Sequence, residues 1–267
     1  MPELPEVETI KQGLERQIVG RSILDVEAFD RLVLGSPKNE FIRRLKNKKV
    51  AAVSRRGKAI ILTLEPKAFL VVQLAMTGQL IYGQKSSGSK VTLRLSNGKY
   101  LHYNDARRFG RLHALKELTE LKFLCNLGPE PLSKDFNVNW LKEQFKNRKS
   151  PVKSLLMNQF FVAGIGNIYA SEILFRAGIN PTRPAKSLKE KEIKNLHQKT
   201  QEILKEAIRL RGSSIDTYRD IYGKKGNFLK RIQVYGRQDE VCHRCGNTIQ
   251  AIVQSGRSTF FCCRCQI

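Results

Sequence analysis

Acidic side chains are the scarce class in this 267-residue sequence. Only 24 Asp and Glu stand against 48 Lys and Arg, a formal net charge of +24 with an isoelectric point near 10.0. Such a surplus calls for a polyanionic partner. Charge alone leaves a nucleic acid, a ribosome, an acidic membrane surface and a merely basic proteome open. Long apolar runs are also missing. The most hydrophobic stretch, residues 59–76, is broken by Glu65, Pro66 and Lys67 and falls short of the ~20 apolar residues that span a bilayer, so no membrane association is expected. The opening Met-Pro-Glu-Leu-Pro-Glu lacks the basic and apolar character of a secretory or transit peptide, and a soluble, intracellular protein is expected. There is no internal repeat at solenoid periods, and no tract is biased enough to predict extended disorder.

In a reducing cytosol a disulfide framework is not expected, and the spacing of the six cysteines suggests another use. Four of them gather as Cys242-His243-Arg244-Cys245 and Cys262-Cys263-Arg264-Cys265, with sixteen residues between the pairs. Two CxxC knuckles at that spacing can present four thiolates tetrahedrally. They read as a zinc site with Cys242, Cys245, Cys262 and Cys265 as ligands and one structural zinc as the cofactor. Cys263 adjoins a ligand and would break the knuckle spacing, so it reads as a spectator. Cys125 reads as buried core.

Residues 50–103 hold short β-rich runs at 50–53, 59–64, 69–74, 91–95 and 100–103, with Asn97-Gly98 as a tight hairpin turn. That density suggests a sandwich or barrel. Ahead of it, residues 5–17 read as a helix, with Val7, Ile10, Leu14 and Ile18 at helical spacing and acids near its start that suit the helix dipole. After Gly128-Pro129-Glu130-Pro131 the texture turns helical, at 138–146, 152–158, 167–177 and 189–210, and a domain boundary is expected there. A polar, glycine-containing segment at 211–228 precedes the zinc element, which starts near residue 231.

Four places can carry chemistry. Methionine ahead of proline is normally removable, which leaves Pro2 with a free secondary amine. An α-amino pKa of roughly 7.7 to 8.0 keeps a sizeable fraction unprotonated at neutral pH, and such an amine forms an iminium with a sugar aldehyde. Glu3 lies beside it and Glu6 a turn further on. The bland alternative, that the prolines set a helix start and the acids cap it, is favoured by residue types alone. Ser54-Arg55-Arg56-Gly57-Lys58 is a basic turn feeding an apolar strand, or simply a solvated hairpin. In Asn104-Asp105-Ala106-Arg107-Arg108-Phe109-Gly110-Arg111 cations flank one aromatic, which suits a wedge entering a base stack as well as a loop with a buried Phe. Finally, Gly164-Ile165-Gly166-Asn167 opens a helix. Bare amides there fit a backbone phosphate better than a dinucleotide, because no strand-helix-strand unit surrounds them.

Taken in order, MPELPEVET, RRGK, DARRFG, LGPEPL, GIGNIYASE, GSSIDTYRD, QVYGR and the paired CxxC resemble bacterial formamidopyrimidine-DNA glycosylase from end to end. The resemblance implies an α+β fold: an N-terminal β-sandwich flanked by helices over 1–130, a helix-two-turn-helix domain over 131–230 with a lesion-capping loop at 211–228, and a zinc ribbon over 231–267. It implies a monomeric base-excision-repair enzyme of the bacterial cytosol and nucleoid, acting on damaged double-stranded DNA as glycosylase and abasic-site lyase. Pro2 would attack C1′ of an oxidised purine nucleotide and form a Schiff base that undergoes β- and δ-elimination. Glu3 matches the general acid/base, Lys58 the lysine needed for base excision and proton transfer, and Arg257 the ribbon arginine that holds phosphate and assists elimination, so that Pro2, Glu3, Lys58 and Arg257 are the implied catalytic residues. Lys149, Lys153 and Asn167 match DNA contacts. Met76, Arg107 and Phe109 match the trio that fills the hole left by the everted lesion, and Arg108 beside them is expected to bind DNA as well. Glu6, Ser214, Thr217 and Tyr218 fall in the lesion pocket.

Two departures from the family pattern are visible. Ser87-Gly88-Ser89-Lys90 stands where a histidine-containing DNA contact is usual, and Ala106 where a proline is common. The related endonuclease for oxidised pyrimidines is the enzymatic alternative, disfavoured by the LPEVE opening and the long 211–228 segment. A zinc-ribbon DNA-binding protein without catalysis is the other, disfavoured by Pro2, Glu3 and Lys58.

Overall fold

The apolar residues at helical spacing near the N-terminus become helix α1 (Leu4–Ile18), which buries Val7, Ile10, Leu14 and Ile18 completely or nearly so. The structure is a computed structural model that describes residues 1–215 and 217–267. Its chain divides into two units, Met1–Asn126 with Ile208–Leu229, and Leu127–Ala207 with Lys230–Ile267.

In the first unit α1 is followed by β1 (Ile23–Ala28), α2 (Lys38–Leu45), β2 (Lys49–Arg56), β3 (Ala59–Glu65), β4 (Ala68–Gln73), β5 (Gln79–Gly83), β6 (Val91–Leu95), β7 (Tyr100–Asn104), β8 (Arg111–Leu115) and the short α3 (Lys122–Cys125). The strands form two antiparallel four-stranded sheets, ordered β1-β6-β7-β5 and β2-β3-β4-β8. Val26, Leu93 and Leu101 from one sheet and Val53, Leu62 and Val72 from the other belong to a single core, to which α1 and α2 add Leu14 and Phe41. That shared core is the packing expected of two half-apolar sheets. Asn97-Gly98 forms the turn between β6 and β7, as its sequence suggests. Cys125 corrects one expectation. It is exposed, because α3 is a single turn that buries only Leu124.

Segment 208–229, which begins with the last two residues of a long helix, packs within the first unit. Tyr218 and Ile221 enter the sheet core, and the Tyr82 amide donates to Ile221 O at 2.8 Å. Asp216, within the 211–228 segment, lies outside the described residues.

The second unit contains α4 (Val138–Phe145), α5 (Val152–Met157), α6 (Asn167–Ala177), α7 (Glu190–Arg209) and a two-stranded ribbon of β9 (Gln250–Gln254) and β10 (Arg257–Phe261). Helix α6 is its axis, with residues 168–175 all buried. Among them Glu172 has no exposed surface, and its carboxylate accepts the backbone amides of Gln233 at 2.9 Å, Val234 at 3.0 Å and Tyr235 at 2.9 Å. Burial still leaves the Glu172 pKa raised, but the Tyr235, Val234 and Gln233 amides offset part of that penalty, and they fix the strand of chain that leads into the ribbon. No described helix is long and apolar enough to cross a membrane.

Glu172→Gln would turn an N–H donor toward amides that need an acceptor. It should lower stability by about 1–3 kcal/mol in urea unfolding, and an unchanged midpoint would contradict this account of the anchor.

Candidate functional site

In the first unit the N-terminus is built as a helix cap and held from two sides. Glu3 and Glu6 form a reciprocal capping box, in which the Glu3 amide donates to Glu6 Oε2 at 2.8 Å. Pro2, Glu3 and Glu6 are all buried, so the bland reading of the acids as capping groups is realised in full. Glu6 does more than cap. Its other oxygen accepts the Ser213 amide at 2.7 Å, and Gly212, with φ of 76°, lies so close that a Cβ would sit 2.6 Å from Glu6 Oε1. Only glycine permits that approach. Lys58 follows Gly57 in the turn between β2 and β3. Arg55, near the end of β2, donates to Glu8 of α1 at 2.8 Å and to Gly57 O at 2.9 Å, so one guanidinium ties the Lys58 turn to the N-terminal helix.

The DARRFG segment is a turn organised by Asp105. This carboxylate, 2% exposed, accepts the Gly110 amide at 2.7 Å, the Arg107 amide at 3.2 Å, the Tyr103 hydroxyl at 3.1 Å and the Thr77 hydroxyl. Burial alone would raise its pKa, but the donors, Thr77 and Gly110 foremost, outweigh burial and hold it below the ordinary value. Burial and the Asp105 charge push the Tyr103 phenol up, so it stays a donor. A Cβ at Gly110 would collide with the Tyr103 hydroxyl. From this turn Arg107 reaches Met76 Sδ at 3.6 Å and lies over the Phe109 ring at 4.5 Å. Met76 and Phe109 are exposed by 40% and 54%. The structure thus brings Met76, Arg107 and Phe109 together as one outward group. Arg108 turns elsewhere, donating to Asp30 at 2.6 Å.

Segment 213–227 closes on itself through the Ser213–Asn227 bridge, and Ser214 Oγ donates to Tyr218 O at 3.0 Å while accepting the Gly226 amide at 2.9 Å. Thr217 is exposed, and its hydroxyl donates to Met76 O at 3.1 Å. Tyr218 is buried, and burial together with the Glu6 charge raises its phenol pKa. The segment therefore meets both the N-terminal acids and the exposed trio.

In the second unit the buried Lys153 on α5 donates to Asn167 Oδ1 at 2.6 Å, Thr259 Oγ1 at 2.7 Å and Ser258 O at 3.1 Å. Asn167, opening α6, donates to Ser258 O at 3.0 Å. Arg257, exposed, is the next residue back along β10. Lys153 and Asn167 thus meet at Ser258 and Thr259, next in sequence to Arg257 at one end of the ribbon, whereas Lys149 is exposed in the loop between α4 and α5.

At the other end of the ribbon the Sγ atoms of Cys242, Cys245, Cys262 and Cys265 lie within 4.8 Å of one another, with Cys242–Cys265 at 3.9 Å and Cys245–Cys262 at 3.5 Å. A tetrahedral zinc with Zn–S bonds of about 2.3 Å places its sulfurs about 3.8 Å apart, so the thiols fit one metal ion. Each knuckle is shaped by backbone bonds. The Gly246 amide donates to Cys242 O at 3.0 Å and the Gln266 amide to Cys262 O at 3.0 Å. Cys263 points away and is exposed. The organising residues Asp105, Asp30 and Glu172 were not singled out by sequence reasoning. The available signals were an Asp two residues before a turn amide and one acid inside an otherwise apolar helix face.

The chain matches the model of the formamidopyrimidine-DNA glycosylase N-terminal domain over residues 1–112, that of the formamidopyrimidine-DNA glycosylase H2TH domain over 127–219, and that of a zinc finger found in FPG and IleRS over 239–267. It is 40% identical to a formamidopyrimidine-DNA glycosylase of Chloroflexus aurantiacus over 273 residues, covering 100% of this chain and 98% of the relative. It is 42% identical to one from an Enterobacter species over 270 residues, with 100% of both covered. Among solved structures it superposes on the MutM (Fpg) protein of Thermus thermophilus with a TM-score of 0.90 at 37% identity, covering 99% of this chain and 98% of the other. The Lactococcus lactis Fpg in complex with DNA containing an abasic site matches with a TM-score of 0.92 at 35% identity, covering 99% of each chain.

The Asp105 clamp has a defined pH signature. An acid whose pKa falls on folding stabilises the fold above its unfolded value of 3.8, and that stabilisation is lost as pH falls through the lower, folded value. Asp105→Asn should therefore cost about 1–3 kcal/mol near neutrality, with the gap from the unmodified protein closing at pH values below 3.8; a gap constant with pH would refute the clamp. For the thiols, elemental analysis should find one zinc per chain. Chelation should expose 239–267 to protease, since zinc binding at such sites supplies on the order of 10–16 kcal/mol. Metal-free protein with a protease-resistant ribbon would exclude a structural role for the ion.

Proposed function

The chain belongs to the formamidopyrimidine-DNA glycosylase family, DNA glycosylases of base excision repair, and on that footing we propose that it excises oxidised purines, 8-oxoguanine and formamidopyrimidines, from double-stranded DNA and then cleaves the strand as an abasic-site lyase. The observation that carries the reading is the outward group of Met76, Arg107 and Phe109, in which the Arg107 guanidinium lies over the Phe109 ring and donates to the Met76 sulfur. Extruding a base costs a few kcal/mol of lost stacking, and inserted side chains offset it. A non-catalytic binding protein has no need of such a wedge, nor of Pro2 and Glu3 buried at the N-terminus.

With Met1 removed, the Pro2 nitrogen is a secondary amine placed at the start of a helix. It attacks C1′, the glycosidic C–N bond breaks, and the base leaves with the bonding electrons and takes up a proton. The amine loses its own proton, the sugar ring opens, and an iminium links Pro2 to the sugar. Loss of a C2′ proton expels the 3′ phosphate, and a second elimination expels the 5′ phosphate. Glu3 serves as proton donor and acceptor and Lys58 assists base excision. Glutamate is not among the preferred helix N-caps, which supports a purpose for Glu3 beyond capping. Glu6, Ser214, Thr217 and Tyr218 bound the lesion pocket. Lys149, Lys153, Asn167 and Arg257 bind DNA phosphates, the role suited to a helix N-terminus and grouped cations. The zinc, held by the four thiolates, supplies no chemistry beyond fixing the ribbon that carries Arg257. The protein acts as a monomer in the bacterial cytosol.

Borohydride reduction in the presence of an 8-oxoguanine duplex should give a covalent adduct on the peptide that begins with Pro2, and intact mass should show Met1 absent. Pro2→Gly should abolish the adduct, and Glu3→Gln should slow excision by about 10²–10⁴-fold. A preference for thymine glycol would move the chain to pyrimidine lesions, and binding without any adduct would reduce it to a DNA-binding protein.

A further inference from the structure

Asp30 stands just beyond β1, remote in sequence from every residue given a role above. Its side chain is 12% exposed. Oδ2 accepts Arg108 Nε at 2.6 Å and faces Lys90 Nζ at 3.4 Å, while Oδ1 accepts the Leu32 amide at 3.1 Å. Burial opposes the charge of this carboxyl, but the bond from Arg108, then Leu32 and Lys90, hold its pKa below the ordinary range. It is therefore an anion at neutral pH and a fixed anchor for Arg108.

Arg108 is the residue that needs an anchor. Its φ of 57° is a left-handed conformation that a long side chain adopts only when its surroundings impose it. It lies between the two wedge residues Arg107 and Phe109. Behind it, Asp105 holds the Arg107 and Gly110 amides. On its other side Arg111 Nη1 donates to the carbonyl oxygens of Arg108 and Gly110, each at 2.7 Å. The Arg107 and Gly110 amides and the Arg108 and Gly110 carbonyls are thus held, and the bond to Asp30 fixes the Arg108 side chain as well.

We propose that Asp30 is a positioning residue for lesion extrusion: by gripping Arg108 it locks the turn in the conformation that presents Arg107 and Phe109, and Arg108 acts as an internal strut rather than as a DNA ligand. The proposal rests on the wedge assignment made above. A bidentate-capable guanidinium already bonded to a carboxylate is poorly disposed to leave it for a phosphate. A wedge fixed before contact enters the stack without paying its ordering entropy at that moment.

The test uses the full-length zinc-bound protein and an 8-oxoguanine duplex with 2-aminopurine next to the lesion, so that fluorescence reports unstacking and gel analysis reports strand cleavage. Asp30→Asn and Arg108→Ala should each slow the unstacking phase by on the order of 10-fold. They should act non-additively when combined, and Asp30→Glu should restore part of the rate. Cleavage of an abasic site in single-stranded DNA, where no stack is opened, should fall much less than duplex cleavage. Thermal melts of each variant identify any that fail to fold, in which case Asp30→Glu and Arg108→Lys carry the comparison. If Arg108 is instead a phosphate ligand restrained by Asp30, Asp30→Asn will tighten binding and Arg108→Ala will reduce the salt slope by about 1; that result, or additive effects, overturns the proposal. A native protein inactive on every lesion duplex would refute the proposed function itself.

Discussion

A buried carboxylate is tolerated only where donors saturate its oxygens, and this chain, poor in acids, puts several of its few inside. Glu6, Asp105 and Glu172 each accept backbone amides from a segment distant from their own helix or strand or from the turn that follows them. Each fixes irregular backbone that no sheet or helix ladder can fix. Glu6 holds the start of the 213–227 segment, Asp105 the turn that carries Arg107 and Phe109, and Glu172 the chain entering the ribbon. The regular elements supply rigidity, and the carboxylates transfer it to the loops of the candidate site. The second unit shows the converse with a cation. Lys153, almost fully buried, is held by an amide oxygen, a hydroxyl and a carbonyl, and it joins α5, α6 and β10.

The same arrangement explains why the residues of the candidate site come from scattered stretches of sequence yet meet in compact groups. Met76 follows β4 and Phe109 precedes β8, and these two strands pair, which carries their ends to one edge of a sheet. Thr77 and Asp105 then bond across the gap. The N-terminal helix reaches the Lys58 turn through Arg55 and Glu8. Within each unit a short relay of hydrogen bonds connects a strand end to a functional side chain, so the precision of the site comes from sheet register rather than from the loops.

Much of this was legible beforehand. The helical runs at 167–177 and 138–146 and the strands at 59–64 and 91–95 showed strong periodicity, and the structure places them within a residue or so. The zinc ligands followed from spacing alone, because two CxxC pairs satisfy a tetrahedral ion by local geometry. Strands β1, β5 and β8 were not anticipated. β5 is a sheet edge with a single fully buried residue, Leu80, and β8 begins with Arg111 and contains His113, so neither alternates cleanly. Their identity depends on partners far along the chain. Met76 shows the limit from the other side. As the continuation of an apolar strand it reads as core, and only a resemblance to a family turned it outward. Asp30 and Asp105 were illegible in role because a carboxylate's purpose lies in which amides and guanidinium groups tertiary packing brings to it.

Drawing acids into the interior also changes what the solvent sees. With Glu3, Glu6, Asp105, Glu172 and Asp220 all at most 5% exposed and Lys153 the only lysine or arginine comparably buried among the described residues, the face presented to a polyanion is more cationic than the formal balance states. Cations grouped on a surface attract a duplex by releasing its counterions, without reference to sequence. The same economy of internal charge that orders the loops therefore sets how strongly the surface draws a polyanion, and how steeply that attraction falls with salt.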